Sequence, residues 1–144
     1  MIPTFTPAGL LPPGIHWAKW DELVARYGIN PHRARLLSGL ERACDALRTA
    51  GCHTLYLDGS FVTAKVYPSD YDGCWDTAGV NSARLDPVLL DFKNDRAAQK
   101  AKYLGELFLC QAVAKLGPPQ RVFLDFFQHD KNTDELKGIV GLNL

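Results

Sequence analysis

The apolar stretch His53-Thr54-Leu55-Tyr56-Leu57 stops abruptly at Asp58-Gly59-Ser60, and ten residues after that turn comes Asp70-Tyr71-Asp72, introduced by Pro68 and Ser69. The first stretch reads as a short buried strand, residues 60–66 as room for one helical turn, and Pro68-Ser69 as the entry to a second extended segment. Side chains on an extended segment alternate between faces, so Asp70 and Asp72 point one way and Tyr71 the other. Two converging carboxylates suit a hard divalent cation such as Mg2+, which one or two carboxylates hold together with substrate phosphates. Two such ions can stabilise both the attacking and the leaving oxygen of a phosphoryl displacement. Gly59 has no Cβ and lets backbone N–H groups approach an anion closely, and Ser60 adds a hydroxyl donor. The two halves together suit a nucleoside triphosphate. Asp-x-Asp after Pro-Ser is also ordinary turn chemistry, in which each Asp accepts local backbone bonds; the Gly-Ser turn at this spacing favours the site.

A chain of 144 residues, 47% hydrophobic and 22% charged, is enough for one domain with its own core, and a second substrate domain is not expected. An acceptor molecule then has to be gripped by this domain's own surface, by a second copy or by a partner, and a homodimer is compatible with so small a surface. Sixteen basic and sixteen acidic residues cancel, so no global field draws in long nucleic acid. The basic stretch His32-Arg33-Ala34-Arg35, with Arg42 and Arg48 beyond it, reads as a solvated helix face rather than an RNA surface. Cys44, Cys52, Cys74 and Cys110 are scattered, as are His16, His32, His53 and His129, so neither a zinc site nor a disulfide scaffold is expected. With no secretory leader and no apolar run of bilayer length, the expectation is a cytoplasmic protein without membrane contact.

The pattern along the chain predicts an α+β domain: a small mixed β-sheet with helices packed against it and a helical N-terminal segment. Residues 1–14, broken by Pro3, Pro7, Pro12 and Pro13, form an irregular arm; 15–50 form the helical segment; 53–144 form the core with the sheet. Helices are predicted over Trp17–Tyr27, ended by Gly28, and from Pro31 to about Gly51 with Asn30 as cap. Their leucine and aromatic stripes read as core. A long helix is predicted over Asp95–Leu116, ended by Gly117-Pro118-Pro119. A strand over Arg121–Gln128 follows, then a turn at Asn132-Thr133-Asp134 and a last strand over Lys137–Leu142 as its hairpin partner.

An apolar strand ending in Gly-Ser, a spacer of about ten residues and Asp-x-Asp together resemble the polymerase-β-like nucleotidyltransferase superfamily. More narrowly, Leu57-Asp58-Gly59-Ser60-Phe61-Val62-Thr63, Pro68 before Asp70, Phe126-Phe127-Gln128 and Lys137-Gly138-Ile139-Val140 are similar to a small bacterial and phage family of nucleotidyltransferase-like proteins, across most of the chain. The resemblance implies a nucleotidyltransferase-like fold and a third carboxylate on a neighbouring strand that ligates metal or activates the acceptor. The best match is Asp125, with Asp130 in reserve; a carboxylate among Val122, Phe123, Leu124, Phe126 and Phe127 has to be exposed, paired or facing a cation. Lys65 and Lys137 are the expected phosphate partners, with Lys102 as third choice. The implied activity is Mg2+-dependent transfer of a nucleoside monophosphate from a nucleoside triphosphate to a hydroxyl of a protein or RNA acceptor. Catalytic and metal roles would fall to Asp70, Asp72 and Asp125, and nucleotide binding to Gly59, Ser60, Lys65 and Lys137. Similar small enzymes suggest a toxin–antitoxin or phage-defence setting, with a cognate toxin or antitoxin as partner. Gly73-Cys74-Trp75-Asp76 departs from the aliphatic continuation of an active strand. That favours an alternative: a catalytically degenerate fold that binds a nucleotide or a protein as a regulator or antitoxin. A third reading is a metal-dependent phosphohydrolase using Asp58, Asp70 and Asp72.

Overall fold

The computed structural model describes all residues from Met1 to Leu144. Strand β1 (Gly14–Ala18) follows the irregular arm and leads into helices α1 (Trp20–Tyr27) and α2 (Pro31–Thr49). Asn30 caps α2 by accepting from the Arg33 N–H at 2.8 Å, Pro31 opens its first turn, and Leu36, Leu37, Leu40, Ala43, Cys44 and Leu47 form its buried stripe. β2 (Thr54–Asp58) then runs into the Gly59 turn and a single 3-10 turn over Ser60–Val62, and β3 (Tyr71–Trp75) comes after the spacer.

Helix α3 (Lys93–Tyr103), strand β4 (Gly105–Leu109), a ribbon of β5 (Val113–Lys115) with β6 (Arg121–Val122), the short helix α4 (Phe123–Phe126) and strand β7 (Gly138–Asn143) complete the chain. Five strands make one mixed sheet in the order β1-β7-β2-β3-β4. β1 lies parallel to β7 and β3 parallel to β4, while β2 is antiparallel to both β7 and β3. The fold is therefore α+β, a mixed sheet with helices packed on it. Its main core joins Leu23 and Tyr27 of α1 and the α2 stripe to Leu55, Leu57, Tyr71, Leu107 and Val140 of the sheet, and it also takes in Ile2 and Leu11 of the arm. No helix is long and apolar enough to cross a membrane.

Several elements differ from the sequence pattern. The first predicted helix begins at Trp20, because Trp17 belongs to β1 and packs over Gly141 of β7. The long helix expected over 95–116 ends at Tyr103, where Leu104 takes a left-handed conformation (φ 62°) and redirects the chain. Leu, Glu, Ala and Lys favour helix intrinsically, but Gly105-Glu106-Leu107-Phe108-Leu109 alternates in burial, and pairing with β3 overrides propensity. The strand expected over 121–128 is cut to Arg121–Val122. Phe123, Phe126 and Phe127 sit at helical spacing; Phe123 and Phe127 pack on Phe108, with Phe108 and Phe123 stacked at 4.2 Å between centroids, and Phe126 packs on Phe123 and Phe127. The last strand is found at the expected place, but it pairs with β1 and β2, not with the segment before it, where a lone bridge joins His129 and Leu136.

Candidate functional site

The sheet register builds the site. Asp58 of β2 faces Asp72 of β3, and Asp72 faces Glu106 of β4, so three carboxylates stand in one row across adjacent strands. Asp70, two residues before Asp72, lies above that row, and all four line a cavity of about 560 Å³. Tyr71 between them turns into the core and donates its hydroxyl to the Tyr103 carbonyl at 2.9 Å. Gly59, Ser60, Lys65 and Lys137 line the same cavity, and Phe108, Phe123, Phe126 and Phe127 form an aromatic wall on one side of it.

Cations hold the two ends of the row. Lys137 forms an ion pair with Asp58 in which both side chains are largely buried. At the other end, Arg96 donates to Glu106 from Nε at 2.9 Å with its Nη2 in ion-pair contact at 2.8 Å, and Lys100 stands 3.3 Å away. Asp70 and Asp72 have no ion-pair partner. Burial above all, then the hydrogen bond shared with Glu106 and the charges of Asp70, Glu106 and Asp58, pushes the Asp72 carboxyl up to about 8. Burial alone would also raise Glu106, but its hydrogen bonds with Asp72, Arg96 and Lys100 outweigh that and hold it below the usual carboxylate range. Asp70 is raised by burial and by the nearby Glu106 charge. At Asp58 burial outweighs the Lys137 charge and the shift is again upward.

These shifts set a pH dependence of stability. The folded protein keeps a proton on Asp72 that an unfolded aspartate releases near about pH 3.9. Stability from this group is fully present below that pH and is lost as pH rises through about 8. Urea unfolding should show a fall in stability from about pH 5 to about 8 that Asp72→Asn flattens. Equal slopes in the two proteins would remove Asp72 as the proton holder.

The Gly59 turn shapes the floor of the cavity. Gly59 adopts φ 81°, ψ −172°, a conformation essentially reserved for glycine, and a Cβ there would run into the Asp72 carboxylate. Gly59→Ala is therefore expected to cost about 1–3 kcal/mol of stability and to displace Asp72. Denaturant unfolding checks the first effect, and a change in the pH dependence of stability that Asp72 sets checks the second.

The spacer between the two halves of the motif is tied down by Arg33. Its guanidinium is buried and donates to the carbonyls of Phe61 (2.7 Å), Thr63 (3.2 Å), Val66 (3.3 Å) and Lys65, and it lies over the Phe61 and Tyr27 rings. His32 meets the Pro68 carbonyl, while Arg42 donates to the Lys102 carbonyl at 3.0 Å and Arg48 to Asp45 at 2.7 Å. The basic stretch is thus not a single solvated face; its second member is an internal anchor for the loop that carries Ser60 and Lys65.

Asp125 does not line the cavity. Because its segment is helical rather than extended, its half-exposed carboxylate is turned toward Arg121 (3.8 Å) and His129 (3.9 Å). The third carboxylate beside Asp72 is Glu106, and Asp130 lines the cavity at its rim, where it accepts from Thr133 at 3.0 Å. Lys102 is away from the site, paired with Asp86 at 2.6 Å. Glu106 was hidden by helix propensity, yet the alternation Gly105-Glu106-Leu107-Phe108-Leu109 carried the signal for a strand with its acid on the face opposite Leu107. Asp58, engaged by Lys137, is not a free ligand as the phosphohydrolase reading requires.

Hard oxygen donors, two of them without a cation partner, fit a divalent ion shared with phosphates. As the side chains stand, no group of three or more His, Cys, Asp or Glu is gathered closely enough to hold an ion on its own, so substrate oxygens would have to complete the shell. Fold and site define a mixed α+β protein with a row of carboxylates at the foot of an aromatic-walled cavity. The chain belongs to the DUF6932 family, a family of unknown function, whose model matches residues 3–143. No curated protein and no solved structure matches it.

Proposed function

We propose that the chain is a Mg2+-dependent nucleotidyltransferase that moves a nucleoside monophosphate from a nucleoside triphosphate to a hydroxyl of a protein or RNA acceptor. The observation that carries this reading is the register of Asp72 and Glu106 on adjacent strands, with Asp70 above them and the Gly59-Ser60 turn opening into the same cavity. Asp70, Asp72 and Glu106 would hold the ion, which supplies Lewis-acid stabilisation of charge on the phosphoryl oxygens. Gly59 and Ser60 offer an anion a close backbone approach and a hydroxyl, and Lys65 supplies positive charge at the cavity wall. Phe123 and Phe126, the partly exposed members of the phenylalanine wall, offer an apolar surface that suits a base. In the transfer, the acceptor oxygen bonds to the α-phosphorus, the bond to the bridging oxygen breaks, pyrophosphate leaves, and the hydroxyl proton goes to the carboxylate row. Catalysis is then positioning and charge neutralisation. A toxin–antitoxin or phage-defence setting rests on the family resemblance alone.

The ion pairs at both ends of the row favour a second reading, a degenerate fold that binds a nucleotide or protein as a regulator. Calorimetry with each nucleoside triphosphate, with and without Mg2+, together with an assay for pyrophosphate, separates the two. Magnesium-dependent binding and pyrophosphate release, both lost in Asp70→Asn/Asp72→Asn, are expected. Nucleotide binding without any turnover would support the regulator.

A further inference from the structure

Glu106 stands in line with the metal-binding carboxylates, yet in the free protein its charge is already balanced by Arg96 and Lys100. A divalent ion entering beside these two cations meets repulsion, so Glu106 as placed is a poor ligand. Both cations have a second partner on the surface: the exposed Asp95 contacts Arg96 and accepts from Lys100 at 3.0 Å. Leaving Glu106 therefore does not strand either charge. The backbone at this point is unusual as well, since Asn94, Asp95 and Arg96 hold successive φ values of 51°, 56° and 59°, a left-handed run that non-glycine residues rarely adopt. The helix beyond is firmly fixed, because the buried Gln99 donates to the Leu89 carbonyl at 3.3 Å and accepts from the Leu107 N–H at 2.7 Å. The anchor at Gln99 leaves the Arg96 end of α3 as the part of the helix free to rearrange. The Arg96 guanidinium lies over the Phe108 ring, 5.4 Å from its centre; Phe108 and Glu106 line the cavity, and Arg96 stands just behind them. The Lys137 pair at the other end is different: both its side chains are largely buried and neither has a second ion-pair partner.

We propose that Arg96, assisted by Lys100, is a charge-responsive latch: it neutralises Glu106 in the empty site and moves to the phosphate chain when a metal–triphosphate enters, which frees Glu106 for the metal. The inference rests on the nucleotidyltransferase reading and deepens it by making metal binding depend on the polyphosphate. A bound triphosphate raises metal affinity, and by linkage the metal raises triphosphate affinity by the same factor. Arg96 acts on the metal through Glu106 and is a positioning residue with respect to it.

Titration of the full chain with Mn2+, followed by the loss of the free-ion paramagnetic resonance signal, tests the latch without turnover. Arg96→Gln should bind Mn2+ about tenfold more tightly than the native chain when no nucleotide is present. Adding Glu106→Gln to that variant should cancel the gain. Arg96→Lys keeps a charge beside Glu106 and should stay near the native affinity, which separates charge from any general loosening of α3. The native chain should gain Mn2+ affinity with a non-hydrolysable triphosphate analogue. Unchanged or weaker Mn2+ binding in Arg96→Gln, or an equal gain in Arg96→Lys, overturns the latch while leaving the metal site in place. Mn2+ binding absent from every variant even with the analogue, or untouched by Asp72→Asn, overturns the nucleotidyltransferase reading and the latch with it.

Discussion

Arg33→Met, a change on α2, is expected to lower the stability of the protein by about 2–4 kcal/mol by releasing the loop that frames the site. Arg33 is almost fully buried and has no carboxylate partner; its charge is met by the carbonyls of Phe61, Thr63, Lys65 and Val66 and by two aromatic faces. Methionine fills much of the volume but leaves the buried Phe61 carbonyl without a donor and strips the part-buried Thr63 and Lys65 carbonyls of theirs, while Val66 keeps the Asn30 amide at 3.0 Å; an orphaned buried acceptor costs about 1–3 kcal/mol. Lysine should not rescue the loss, since a compact ammonium cannot span carbonyls that a planar fork of five donors reaches. Denaturant unfolding of Arg33→Met and Arg33→Lys measures both effects. A loss below about 1 kcal/mol for Arg33→Met would show that the carbonyls find other donors and that the loop does not depend on this side chain. The same substitution should loosen residues 60–68 and weaken nucleotide binding.

If the proposed mechanism holds, Asp72→Asn is expected to reduce triphosphate-dependent turnover by at least about 10²-fold, because it removes from the centre of the row the carboxylate that a bound ion would ionise and hold. The fold should survive this change. Asp72 has no cation partner, its carboxyl already prefers the neutral form, and asparagine has nearly the same shape. Near neutral pH and above, the variant should be as stable as the native chain or more so, since it no longer has to deprotonate a buried group as pH rises. Steady-state pyrophosphate release combined with thermal unfolding separates the two effects. Full turnover in a folded Asp72→Asn protein would falsify the proposed mechanism. Glu106→Gln should lose turnover too, whereas Asp125→Asn, whose carboxylate sits outside the cavity, should retain it.

Local signals place several residues of the candidate cavity. Asn30-Pro31 announces α2 because capping and a proline first turn act within a few residues, and the structure begins the helix there. Asp70 and Asp72 were legible as a pair because a strand's twofold alternation is independent of what surrounds it, and both line the cavity with Gly59 and Ser60. Asp125 and Glu106 show where such reasoning ends. Both lie in segments whose state is chosen by partners distant in the chain: Phe123 and Phe127 coil because Phe108 offers them a surface, and Gly105–Leu109 extends because β3 offers it a ladder. Arg33 departs from its local signal for the same reason. A basic residue on a helix is solvated by default, and only the loop folding over it, from residues 28 to 33 positions further along the chain, makes it internal.

The sequence by itself determined the two halves of the motif, the boundaries of the second helix, the burial of the leucine stripes and the α+β character of the chain, because turn chemistry, capping and periodicity are short-range properties. The tertiary structure alone decided that Glu106 rather than Asp125 stands beside Asp72, that Lys137 is held by Asp58, and that Arg96 and Lys100 reach Glu106. Those outcomes follow from strand register and helix docking, in which long-range pairing outweighs the preferences of any one segment.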